Sequence, residues 1–418
     1  MPAFAALRVP AYRRLLVAIT VMEIGLFAFE TALFWTVLAE TGSAVRVSLL
    51  FAGLVLPALV LTIPVGVLVD RKGPRGILIW SSAAAAAVIG LAAIAAGSGR
   101  LGFELALLLA IAEGIFFGCY AVPAQVIAGR VVARDQIASA VGLSAIPAGL
   151  GSIIGGAVGG SLLEVGGPAP TFVVASAGLT LSLITILGLP RLPGLEASGG
   201  MALQDLRSAA RWLRESSIGS AVVLLSAVAG LFVMGRFSLL PVVVRDVLAS
   251  GPGALGLLTM AGGVGMLAGT FGTELLGRRL GRGRALLAAL ALGGLGLAGL
   301  GLTPSIPVAV SLAAVIAAST TVWQLTSATV LQLLAPARMR GRVLALNDVV
   351  RLGLVPVGSL AAGIVVDQVG VATVLVVYGG LTVLAVVATA VASRALRAGP
   401  AAEAETLPEP ALSGASRG

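Results

Sequence analysis

The ionisable side chains that stand inside long apolar runs are Glu23, Glu30, Glu113, Arg236, Asp348 and Arg351. A charge in lipid-like surroundings is costly, so each must face a cavity, water or a partner. Glu23 and Glu30 are about two helical turns apart, which puts them on one face roughly 10 Å apart along the axis. Carboxyl groups can exchange protons. Burial favours the neutral form of such a group, and a nearby guanidinium favours the charged form. If the acids of the first half face Arg236 and Arg351 of the second across a central cavity, they form a proton-sensitive switch; the alternative is a structural salt bridge. Asp348 and Arg351, three residues apart, read as a local pair.

Other chemistry is thinly represented. Histidine is absent and Cys119 is the single cysteine, within an apolar run. An intramolecular disulfide, the usual zinc sites and imidazole relays are therefore excluded, and the sequence calls for no metal and no cofactor. Lys72 is followed by glycine and lacks the preceding glycine pattern of a P-loop. No catalytic constellation points to an enzyme.

The elements that position these residues are membrane helices. The chain has 418 residues, 58% of them hydrophobic and 11% charged, with mean hydropathy +1.08, which is an integral-membrane composition. Roughly 20 apolar residues cross a bilayer. Runs of that length fall at 15–39, 47–69, 76–97, 103–128, 137–163, 170–189, 218–244, 254–276, 284–303, 306–334, 343–366 and 371–393. They predict an all-α membrane protein of twelve transmembrane helices. The early arginines Arg8, Arg13 and Arg14 precede a run that continues to about Leu38 and carries two glutamates, so it reads as a retained first helix and not a cleaved signal.

The net charge of +9 lies in short loops, where it sets topology; nucleic-acid binding is not indicated. With the N-terminus inside, the cytoplasmic loops collect Arg71, Lys72, Arg75, Arg130, Arg134, Arg278, Arg282, Arg340, Arg342 and their neighbours, whereas the outer loops hold only Arg46, Arg100 and Arg245. Both termini are therefore expected in the cytoplasm. The boundaries predicted are a first six-helix unit at 1–189, a cytoplasmic linker at 190–217 with an amphipathic helix from Leu203 to Glu215, a second unit at 218–397, and a tail at 398–418 expected to be disordered.

The stretch from Gly66 to Gly76 carries Asp70, Arg71, Lys72 and Arg75 between glycines at 66, 73 and 76, which permit close helix approach and a tight reversal. Leu68 to Gly73 is echoed by Leu276 to Gly281, at the same place in the second half, with Arg278 where the first copy has Asp70. The predicted fifth helix carries Gly151, Gly155, Gly156, Gly159 and Gly160, a glycine face for close packing against another helix.

Gly-x-Leu-x-Asp-Arg-x-Gly-x-Arg at 66–75 resembles the signature loop between helices two and three of the major facilitator superfamily. The helix-five glycines resemble the motif of its exporters, with Gly156 where those have proline. Thr41-Gly-Ser43, Glu113-Gly114, Pro123 and Gln332 to Pro336 leading to Arg340-Gly-Arg342 are similar to the branch that contains the enterobactin exporter and related drug and siderophore efflux proteins. The resemblance implies two pseudo-symmetric six-helix bundles around a central site, as described for that superfamily. It also implies that Asp70 locks the cytoplasmic ends of helices two and eleven, with Arg71 to Arg75 completing the network and Arg342 as its expected neighbour.

The resulting expectation is a monomeric multi-pass protein of a bacterial-type plasma membrane that exports an amphipathic small molecule by alternating access, driven by protons. Glu30 and Glu113 take up the protons, Arg236 modulates them, and Phe27, Phe34, Phe116, Phe117, Trp323 and Gln324 line the cavity. The alternatives are an importer of the same fold, for which the missing proline is the argument, and a non-transporting sensor or scaffold.

Overall fold

The computed structural model describes residues 5–194 and 203–397. Twelve of its helices are long and apolar enough to cross a membrane. The first six are helix 1 (Pro10–Thr41), helix 2 (Ala44–Lys72), helix 3 (Pro74–Gly97), helix 4 (Phe103–Val131), helix 5 (Ile146–Gly166) and helix 6 (Pro168–Leu187). The second six are helix 7 (Ser217–Asp246), helix 8 (Pro252–Leu280), helix 9 (Arg282–Leu302), helix 10 (Ile306–Leu334), helix 11 (Arg340–Val369) and helix 12 (Val371–Ala392). The tail at 398–418 lies outside the described residues.

The run at 137–163 divides differently from its expected span. Ile137–Leu143 forms a separate short helix, and the membrane helix starts at Ile146 with Pro147 in its first turn. Proline fits there because its missing N–H and fixed φ suit a helix start. Helices 5 and 7 each contain a π turn, Gly151–Gly155 and Ala229–Met234. Such turns widen the helix locally and recur at functional sites.

Gly73 joins helices 2 and 3 with φ 81° and ψ 153°, and Gly281 joins helices 8 and 9 with φ 81° and ψ 150°. Only glycine takes this left-handed backbone without strain. The two copies of the loop thus reverse the chain in the same way, although their charges differ. A helix also forms at Leu203–Glu215, with Ala209 and Leu213 buried and Trp212 packed against the core.

Close packing rests on small residues, since lipid supplies no hydrophobic drive between helices. Gly114 and Gly118 of helix 4 press on the backbone of Leu54 and Ala58 in helix 2; Gly265 and Gly269 of helix 8 press on Ala314 and Ala318 in helix 10 in the same fashion. Gly66 and Gly76, expected to permit close approach, have open space where a Cβ would stand. Of that loop's glycines only Gly73 is required by packing, against Leu192 and Gly194.

Candidate transport site

Helix 1 presents Glu23 and Glu30 toward helix 4, which presents Glu113, and the three carboxyls lie within electrostatic reach of one another. Tyr120, about two turns along helix 4, donates its hydroxyl to Glu23 Oε1. Glu113 is 4% exposed; neither of its oxygens meets a fixed hydrogen-bond donor, and the carboxyl with which it can share a proton is that of Glu30. Among the described residues, no lysine or arginine forms an ion pair with any of the three.

Helix 5 explains how these acids are held. Its glycines serve two faces and not the single one expected. Gly151, Gly155 and Gly159 lie against Glu23, Ile24, Phe27 and Ala28 of helix 1, leaving no room for a Cβ. Gly156 and Gly160 lie as tightly against Thr259 and Gly256 of helix 8, where Ser152 Oγ also donates to Thr259 O at 2.7 Å. Helix 5 is therefore a thin spacer between the acid-bearing helix 1 and the second half.

The arginines of the second half find their partners locally, with Arg351 Nε left unbonded. Arg236, 8% exposed, donates to Val233 O at 3.2 Å, and its guanidinium carbon lies 4.5 Å from the centroid of Phe237. Arg351, 6% exposed, pairs with Asp348 at 2.9 Å and donates toward Met234 Sδ at 3.5 Å. The expected ion pairs across the cavity are thus not formed: each guanidinium finds a ring, a carbonyl or a carboxylate on its own side, which spares it a second desolvation.

Between the halves lies a cavity of about 230 Å³. Glu30 is the one charged residue in its wall, beside Thr31 and Thr259; the rest is apolar, with Phe27, Phe34, Phe51, Phe237, Met234 and Pro241 prominent. Phe34, Phe51 and Phe237 form a chain of rings with centroids 6.3 and 6.4 Å apart that spans from helix 1 through helix 2 to helix 7. Of the expected lining residues, Phe27 and Phe34 are placed in this wall. Phe116 and Phe117 instead line a separate small pocket beside Glu113, Trp323 is fully buried, and Gln324 is exposed outside the cavity wall. Phe51 and Phe237 were missed; the available signal was that Phe34 and Phe51 stand at the same remove from the turn at Thr41–Ala44.

One end of the bundle is tied shut across the halves. Asp367 of helix 11 accepts from the backbone N–H of Ala44 at 3.2 Å and from Ser43 Oγ at 3.3 Å, at the N-terminus of helix 2. There a carboxylate is favoured by the free N–H groups and the helix dipole. Arg245 of helix 7 donates to Gly42 O at 3.1 Å. Deeper in, Ser48 and Ser359 both donate to Ser238 Oγ, at 3.4 and 2.7 Å.

At the opposite, arginine-rich end the cations bond carbonyls of their own half. Arg14 donates to Gly188 O at 3.0 Å, Arg75 to Leu187 O at 2.7 Å and Arg130 to Pro193 O at 2.7 Å, closing the C-terminal end of helix 6. Asp70 has no ion pair among the described residues, so the expected contact with Arg342 is not made in this conformation, and Arg71 is exposed.

The comparisons agree with this architecture. The family described as transmembrane secretion effector matches residues 1–415. The multidrug efflux pump Tap of Mycolicibacterium fortuitum is 27% identical over 85% of this chain and 89% of its own length. The enterobactin exporter EntS of Citrobacter koseri is 33% identical over 28% of this chain and 28% of its own. Among solved structures, the nucleoside transporter NupG superposes with TM-score 0.76 at 12% identity, covering 91% of this chain and 99% of that one. An inward-facing bacterial homologue of the iron transporter ferroportin superposes with TM-score 0.67 at 16% identity, covering 91% and 98%. With twelve membrane helices, a cavity between its halves and a family match along nearly its whole length, the chain belongs to the transmembrane secretion effector family of major facilitator membrane transporters.

Proposed function

We propose that this transporter exports amphipathic small molecules by alternating access, in exchange for protons. The observation that carries the reading is the placement of Glu30. It stands in the wall of the central cavity and is at the same time linked to Glu23 and Glu113, with no described cation to neutralise the group. Three carboxyls gathered in the interior can pass protons among themselves, so that a change at one is felt by the others. A solute that enters the cavity and meets Glu30 then competes with those protons, which couples the two fluxes through one side chain.

The arginine distribution orients the machine with its arginine-rich end in the cytoplasm. In that orientation the Asp367, Arg245 and Ser238 contacts lie on the outer side, and their closure of that side supports reading the conformation as inward-facing. The aromatic lining suits a flat, partly apolar solute. The names of the relatives, an efflux pump and an exporter, support the outward direction.

The test uses purified full-length protein in proteoliposomes, with ethidium as the amphipathic probe. The pH gradient is expected to drive ethidium flux, and both dissipating the gradient and Glu113→Gln are expected to reduce it to the rate of empty liposomes. Flux indifferent to the gradient and to Glu113→Gln would show that the acids are structural.

A further inference from the structure

Glu113 does not line the central cavity. Its buried carboxyl, which meets no fixed hydrogen-bond donor, borders a small pocket of about 10 Å³ between helices 1, 3 and 4, walled by Met22, Ser82, Phe116 and Tyr120. That volume holds about one water molecule. On its far side the pocket shares Ser81 and Phe116 with an open groove between helices 2, 3 and 4, which contains Lys72, Trp80 and Cys119 and lies beside the arginine-rich loop. The acids thus stand between two compartments: Glu30 touches the central cavity, Glu113 touches the side pocket, and the pair is coupled.

We propose that Glu113 and this side pocket form a proton port separate from the solute cavity, through which the acid cluster exchanges protons with water at the arginine-rich surface by way of the groove between helices 2, 3 and 4. The inference rests on the proton-coupled reading above and deepens it. Sharing a proton with Glu30 leaves the Glu113 carboxyl with unused hydrogen-bonding capacity, and a water in the adjoining pocket fills it. The proton leaves the Glu113 carboxyl for that water, which passes a proton outward, and the carboxylate left behind is recharged from Glu30 or from the groove.

Among the described residues no cation lines the pocket beside Glu113; Lys72 stands in the groove beyond it, next to the arginine-rich loop. Helix 1 contributes Glu23 and Glu30, helix 4 contributes Tyr120, helix 3 contributes only the hydroxyls of Ser81 and Ser82, and helix 2 meets helix 4 at Gly114 and Gly118 through backbone and apolar atoms. Those two hydroxyls are already engaged, Ser81 with Leu78 O at 3.1 Å and Ser82 with Met22 Sδ at 3.9 Å. The gap at Ser81 and Phe116 is then the narrow point. Separate routes let the solute occupy its cavity while the proton departs, so the two need not pass through one opening.

Cys119, the single cysteine and half-buried in the groove wall, makes the port testable in the intact protein. Proteoliposomes are treated with the cationic thiol reagent MTSET, and hydrogen–deuterium exchange of the carboxyl bands is followed by infrared difference spectroscopy. The Glu113 and Glu30 bands are assigned from Glu113→Gln and Glu30→Gln. Labelling of Cys119 is expected to slow exchange of the Glu113 band at least tenfold and leave the Glu30 band unchanged, with no effect of the reagent on Cys119→Ser. Failure of the reagent to reach Cys119, an unchanged Glu113 rate after labelling, or equal slowing of both bands would overturn the separate port. Failure of the underlying reading is recognised independently, by ethidium flux that ignores the pH gradient in unlabelled protein.

Discussion

The two halves handle buried charge in opposite ways. In the first, Glu23, Glu30 and Glu113 are pooled; Glu30 and Glu113 face each other, and Tyr120 donates to Glu23 from outside the cluster. In the second, Arg236 and Arg351 are each neutralised or solvated where they stand, by a phenyl ring, a backbone carbonyl and Asp348. A pooled, like-charged cluster changes its proton occupancy when one member is disturbed; separately satisfied guanidiniums do not. Under the proton-exchange proposal, the first half is the proton-sensing side of the machine and the second a fixed wall. That asymmetry between two copies of one architecture is what the experiments should attack.

The largest effect is expected where the acids are held together. Gly159→Leu drives a side chain into Ala28 and Thr31 of helix 1 and is expected to abolish assembly, seen as loss of the monodisperse peak in fluorescence-detected gel filtration. Gly262→Leu, on helix 8 with open space around it, should retain that peak. Next, Glu30→Gln is expected to lower gradient-driven ethidium flux by about 10- to 100-fold, the range of a normal coupling free energy, while ethidium exchange without a gradient persists. Equal loss of both would place Glu30 in solute binding alone.

A smaller change is expected at the tied end. Asp367→Asn weakens a charge-assisted bond at the helix 2 N-terminus by about 1–2 kcal/mol. This should speed amide exchange across residues 42–48 by roughly 5- to 30-fold at a fixed global unfolding free energy. The smallest effect is expected at the fixed wall. Arg236→Lys keeps the charge and loses the flat stacking on Phe237, worth about 0.5–1 kcal/mol. Flux should change by less than about fivefold, with its pH dependence unmoved. A shifted pH profile would show that the second half takes part in proton sensing after all.

Much of the fold was legible in the sequence because it depends on local quantities. Hydropathy alone marks the twelve spans, and the glycine at 73, repeated at 281, marks matched reversals. The site was only partly legible. Glu113 and Glu30 announced themselves as charges in apolar runs, but nothing in the sequence placed one in the central cavity wall and the other in a side pocket. The local pair of Arg351 with Asp348 was legible from their spacing of three residues; the stacking of Arg236 on Phe237 was not, because opposite charges in different helices suggested pairing across the cavity.

The amino-acid sequence by itself determined that the chain spans a membrane twelve times, which loops gather arginine, and which buried side chains can carry a proton. Each follows from the free energy of transferring a residue out of water, which needs no knowledge of neighbours. The tertiary structure decided which faces meet. These helices are apolar around most of their circumference, so no polar stripe marks the side that turns inward. Rotation and order are set by where glycine allows backbones to touch, as at Gly155 on helix 1 and Gly156 on helix 8. From those contacts alone follow the cavity beside Glu30, the pocket beside Glu113 and the closure at Asp367.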